Sequence, residues 1–72
     1  MNISNFNTYL ETLRVIERFI EQHGQSPTVD EIAQRRNIHR SAINKQLVVL
    51  AERGYIERRG GWRNIRVIRR AT

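Results

Sequence analysis

Apolar residues recur at Leu10, Leu13, Ile16 and Ile20, with Val15 and Phe19 on one flank. Steps of three and four residues match one face of an α-helix. Thr8-Tyr9-Leu10-Glu11 has the form of a capping box. The Thr hydroxyl can take an amide of the first turn and the Glu can reach back, so the first helix is predicted to begin near Thr8. His23-Gly24 ends it, with glycine where a left-handed residue is wanted. Val15 and Phe19 either widen the buried stripe or form a partner surface.

Ser26-Pro27-Thr28 then makes a turn, and Thr28-Val29-Asp30-Glu31 repeats the capping-box pattern. Asp30 and Glu31 suit the positive end of a helix dipole. The spacing predicts a short second helix over about Val29 to Arg36, burying Val29, Ile32 and Ala33. Asn37 is placed to be the left-handed residue at its end, and Ile38 to pin the following turn to the core. A third helix is predicted from about Arg40 to Arg53, with Gly54 as its stop. Ile43, Leu47 and Leu50 share one side of it; Ser41, Lys45 and Glu52 point the opposite way. Asn44 and Val48 lie on one flank, Ala42 and Val49 on the other. Strands are predicted at Tyr55–Arg59 and about Arg63–Arg69, where Ile65 and Val67 alternate with Asn64, Arg66 and Ile68. Gly60-Gly61 between them signals a tight hairpin.

The charge changes this picture. Residues 1–52 hold six bases (Arg14, Arg18, Arg35, Arg36, Arg40, Lys45) and six acids, whereas residues 53–72 hold seven arginines and only Glu57. The whole net charge of +6 therefore sits on the hairpin and its flanks. Either this is a generic solvated surface or it meets a polyanion, and its one-sidedness favours the second. Arginine outnumbers lysine twelve to one, and its planar fork suits phosphate and guanine edges. Seventy-two residues make one domain, 1–72, with a small core. Without cysteine, no disulfide or thiolate metal site can reinforce it, which fits a cytoplasmic protein. No apolar run approaches the length of a membrane span or a signal-peptide core.

A short helix, a turn and an amphipathic helix make a helix-turn-helix. One preceding helix and a following basic hairpin make it a winged helix-turn-helix, mainly α with a wing of two or three antiparallel strands. A helix of this kind fits the major groove, where its N-terminal residues reach base edges. The second helix crosses the backbone, and its N-terminal amides, capped by Thr28, can hold a phosphate. Wing arginines can grip the backbone or enter the minor groove. Nothing resembles an assembled acid/base or nucleophile site, so the chain is read as no enzyme, and no cofactor is called for. His23 and His39 are sixteen residues apart with no cysteine beside them, which argues against a metal site.

Pro27-Thr28-x-x-Glu31-Ile32-Ala33, Leu47-x-x-Leu50-x-x-x-Gly54-Tyr55-Ile56-x-Arg58 and Arg63-x-Ile65-x-Val67 together resemble the N-terminal DNA-binding domain of LexA-type repressors, over about Thr8 to Ile68. The resemblance implies that the third helix reads the major groove and that the wing contacts DNA. Carried over by position, the reading residues are His39, Arg40, Ser41, Ala42, Asn44 and Lys45. The family continues into a self-cleaving Ser/Lys domain that also dimerises, whereas this sequence ends at Thr72, so no cleavage switch is inferred. Arg40, Asn44 and Lys45 differ from the helix surface of familiar members, so the family operator is not assumed. Arg36-Asn37 stands where the family usually has an apolar residue and glycine.

Asn44 is placed to make paired hydrogen bonds to adenine, and Lys45 or Arg40 to meet guanine, the alternative being phosphate or solvent. Ser41 is a first-turn phosphate ligand, a cap, or both. His39 either contacts phosphate or is structural or solvated, and the second is preferred. Trp62 either inserts beside the DNA backbone or into the minor groove, or covers the small core or the base of the wing. Arg58, Arg59 and Arg63 surround the turn as the phosphate candidates of a wing at 57–63. Arg66, Arg69 and Arg70 are weaker candidates, the last two as a loose tail. These readings converge on a sequence-specific duplex-DNA-binding regulator, a repressor of the kind a phage, plasmid or mobile element encodes. It is expected to pair as a homodimer, if only on DNA. A domain excised from a longer repressor is the alternative origin. An adaptor or anti-repressor module that binds protein is the rival function, and structured-RNA binding a third.

Overall fold

The computed structural model describes residues 3–61 and 63–71, with side chains from Phe6 onward. Three helices are followed by a hairpin: α1 (Ile3–His23), α2 (Val29–Arg36), α3 (Arg40–Glu52), β1 (Ile56–Arg58) and β2 (Ile65–Val67). Together they make the winged helix-turn-helix that the hydrophobic pattern predicts.

α1 starts earlier than its apparent capping box. Thr8 lies inside the helix, and its carbonyl accepts a bond from Arg36 Nη2 at 3.2 Å. Glu11 turns forward to Arg14 at 3.0 Å instead of back to the Thr8 amide. The extra turn is held by tertiary packing. Phe6 lies 5.8 Å from the Tyr55 ring and 6.1 Å, edge-on, from Tyr9, and the Arg53 guanidinium sits 5.0 Å over its face. Phe6 is three and four residues before Tyr9 and Leu10, so it continues the apolar stripe toward the N-terminus. Gly24 ends the helix at φ 72°, its amide bonded to the Ile20 carbonyl at 2.7 Å.

α2 follows its pattern closely. The Glu31 amide donates to Thr28 Oγ1 at 3.1 Å, and the Thr28 amide to Glu31 Oε1 at 2.9 Å, so both halves of the capping box form. Asn37 takes the left-handed conformation, φ 56° and ψ 44°. α3 runs one residue short of expectation, with Arg53 as its C-cap and Gly54 at φ 81°.

The core joins Leu13 and Ile16 of α1, Ile32 of α2, Ile43, Leu47 and Leu50 of α3, Ile56 of β1 and Ile65 of β2. Phe19 is buried and Val15 half-buried against the core, so this flank widens the stripe within the domain. A polar bond network crosses the same interior. The Thr12 hydroxyl donates to Gln46 Oε1 and accepts from Arg36 Nε at 3.0 Å, linking all three helices. Arg36 thereby fills its unusual position by tying α2 to α1 through two bonds.

The hairpin register corrects the expectation drawn from Gly60-Gly61. A two-residue turn there would place Arg59 opposite residue 62. The strands pair Ile56 with Val67, Glu57 with Arg66 and Arg58 with Ile65, and the Arg59 amide bonds to the Asn64 carbonyl at 3.0 Å. The loop therefore includes Arg63 as well as Gly60-Gly61. Its length follows from two anchors to the turn before α2. The Ile65 amide donates to Ser26 Oγ at 3.1 Å, and the Arg63 side chain is drawn toward Glu31 and away from the ladder. Arg69 and Arg70 form no loose tail: Arg69 stacks 4.2 Å over Tyr55, and Arg70 bonds to Glu21 at 3.0 Å and lies 3.5 Å from Glu17.

Candidate nucleic-acid interface

α3 separates its two sides sharply. Ile43, Gln46, Leu47 and Leu50 are buried, at i, i+3, i+4 and i+7. The opposite side exposes Ser41, Asn44, Lys45 and Val48 with the same spacing, while Ala42 is half-buried on the flank. Burial of the first set therefore dictates exposure of the second. Three of the exposed four carry hydrogen-bonding heads, the groups that base edges and phosphates require.

The start of α3 is fixed by His39, which is its N-cap. Its Nδ1 accepts the Ser41 amide at 3.1 Å and lies 2.9 Å from the Ser41 hydroxyl. An accepting Nδ1 puts the proton of the neutral ring on Nε2, outside the cap. Arg40, next along, has Nε 3.3 Å from Asp30 Oδ1, and both side chains are largely exposed. Solvent screens such a pair, so it orients Arg40 more than it stabilises the fold.

α2, α3 and the wing meet in a cleft of about 170 Å³, lined among others by Thr28, Asp30, Arg40, Arg58, Gly61 and Asn64. Here the capped start of α2 faces two arginines from different elements. Alternation along β1 places Arg58 on the same face as Ile56, toward the helices, and Glu57 and Arg59 on the outer face. On that outer face Glu57 lies 3.3 Å from Arg59 and 3.7 Å from Arg66.

Arg63 is placed differently from its neighbours. Its guanidinium makes a two-pronged pair with Glu31, Nη1 to Oε1 at 2.8 Å and Nη2 to Oε2 at 3.0 Å, and Nη1 also reaches the Ser26 carbonyl at 2.9 Å. The arginine side chain is 22% exposed and the glutamate 34%. The Arg63 hydrogen bonds, then the Thr28 amide, pull the Glu31 carboxyl from 4.5 down to about 2. One glutamate therefore caps α2 and latches the wing to it. The basic C-terminal segment thus divides into arginines tied inward (Arg53, Arg63, Arg69, Arg70) and arginines on the wing surface (Arg58, Arg59, Arg66).

The structure thus brings Thr28, Arg40 and Arg58 to one cleft, and His39, Ser41, Asn44 and Lys45 to the adjoining end and face of α3. Arg59 sits on the outer wing face, and Arg63 is engaged with Glu31. Trp62 lies outside the described residues. Three features escape the pattern reading: the Arg63–Glu31 latch, the Asp30–Arg40 pair and burial of Gln46. Only the last had a signal, because Gln46 falls within the i, i+3, i+4, i+7 series of the core stripe. Among the described residues no group of three or more His, Cys, Asp or Glu side chains could hold a metal ion, and no helix is long and apolar enough to cross a membrane.

Comparison with known proteins gives an independent line. The family model described as the LexA DNA binding domain matches residues 8–63. A LexA repressor of Thermotoga neapolitana is 48% identical over 46 residues, covering 64% of this chain and 23% of that protein. The LexA repressors of Thermotoga petrophila and Thermotoga maritima are each 43% identical over 51 residues, covering 71% of this chain and 26% of theirs. The chain thus matches about a quarter of the length of these curated relatives.

Proposed function

The chain belongs to the LexA DNA-binding domain family, and from that premise we propose that it binds duplex DNA sequence-specifically and represses transcription. The observation that carries this reading is the exposed stripe of α3, with the capped start of α2 and Arg58 of the wing beside its N-terminus. α3 enters the major groove, where Asn44 pairs with an adenine edge and Arg40 or Lys45 meets guanine. The amides at the start of α2, with Thr28, hold a phosphate on one side of the groove. Arg58 and Arg59 hold backbone on the other, and Arg63 keeps the wing at the spacing that lets them reach it. Ser41 and His39 fix the first turn of α3 and face the same backbone.

One recognition helix covers a short site, so two copies bind a two-fold symmetric sequence. Their half-site centres lie about 34–36 Å apart or at a multiple of that distance. Selection of bound sequences from a random duplex pool tests the reading. A single enriched motif, built of two inverted halves and retained against excess duplex RNA, is the expected result. Recovery of unenriched sequences would refute specificity. Equal competition by RNA would refute major-groove reading, because the A-form major groove excludes a helix.

A further inference from the structure

Val48 is 49% exposed, one of two large hydrophobic side chains left this open among the described residues. Its place on α3 is specific. At 100° per residue it points between Asn44 and Lys45, and about 20° from Ser41. It therefore lies within the polar stripe, about 130° around the helix from the mean direction of the buried Ile43, Leu47 and Leu50. It contributes nothing to the core there, and a β-branched side chain is a weak helix former. An apolar group ringed by Ser41, Asn44 and Lys45 on a groove-facing helix meets one apolar feature of the major groove, the C5-methyl of thymine.

We propose that Val48 is a specificity-determining residue that reads a thymine methyl. The inference rests on the DNA-binding reading above and extends it to a base position that no hydrogen-bonding side chain of the stripe accounts for. Val48 lies four residues beyond Asn44, about 6 Å along the helix axis. The thymine it reads is therefore one to two base steps from the pair that Asn44 contacts, at 3.4 Å per step. The side chain also carries no charge, so it changes sequence preference without changing the response to salt.

The test removes the methyl group alone. In a duplex selected by the native protein, each thymine is replaced singly by deoxyuridine, and dissociation constants are measured for the native chain and for Val48→Ala. Alanine favours the helix, so folding is not at stake. One thymine per half-site should respond, its demethylation weakening native binding about three- to fivefold, the scale of one buried methyl group. Val48→Ala should bind the thymine duplex weakly by a similar factor and make no distinction between thymine and deoxyuridine at that position. The salt dependence of the two proteins should coincide. A thymine effect of equal size in both proteins, or none at any position in the native one, would overturn the assignment while leaving DNA binding intact. Failure of the native protein to select any duplex would overturn the DNA-binding reading and this inference with it.

Discussion

Replacing Arg58 by alanine, with Arg70→Ala as a charge-matched control, separates a local phosphate contact from the general positive field. Both variants lose one unit of charge. Arg58 lines the cleft at the start of α2 and has no ion pair among the described residues, whereas Arg70 is bonded to Glu21 and lies beside Glu17 on α1. Each neutralised phosphate contributes about −0.9 to the slope of log affinity against log salt. Arg40, Lys45, Arg58 and Arg59 are the exposed cations along the proposed face, so the slope is about −3.6 per protomer. Arg58→Ala should flatten it by about 0.9 and weaken binding about 15-fold at 50 mM salt but only about fourfold at 200 mM. Arg70→Ala should leave the slope nearly unchanged. Fluorescence anisotropy of a labelled duplex across this salt range measures both quantities. Equal flattening in the two variants, or none for Arg58→Ala, would refute a discrete phosphate contact at the cleft.

Three further outcomes follow from the same geometry. Thr12→Val removes a hydroxyl that serves both Gln46 and Arg36, so urea unfolding should show a loss of about 1–3 kcal/mol, with full stability contradicting the network. Glu31 has its folded pKa depressed from 4.5 to about 2, so its contribution is present above about pH 4.5 and is lost as pH falls toward 2. Glu31→Gln should therefore lower the urea midpoint at pH 6 and narrow the difference between pH 6 and pH 3, and an unchanged pH profile would argue against the latch. Asn44→Ala should lose about 1–3 kcal/mol of discrimination at one base pair of the selected site while binding unrelated DNA as before.

The helices were legible because their signals are local. Thr28-x-x-Glu31, Asn37 and Gly54 act within one or two turns of the chain, and the stripe Ile43–Leu47–Leu50 has no other use than burial. The start of α1 was not legible in the same way. A sound capping sequence at Thr8 is overridden by Phe6 packing on Tyr55, a contact between residues far apart in the sequence. The wing shows the same limit. Gly60-Gly61 marks a reversal, but Ser26 and Glu31, more than thirty residues away, set its register by holding the Ile65 amide and Arg63. The candidate site divides likewise. The face of α3 follows from helical periodicity alone, whereas only the folded chain shows which arginines are tied inward by Glu17, Glu21 and Glu31.

The central claim is that duplex DNA lies along α3, the start of α2 and the wing. Amide chemical-shift mapping of the isotope-labelled chain, titrated with a selected duplex, tests it residue by residue. The account predicts large shifts at Thr28 to Asp30, His39 to Val48 and Arg58 to Gly61, with Arg14 to Glu21 of α1 little changed. Shifts concentrated on α1, or spread evenly over every arginine of the chain, would contradict it.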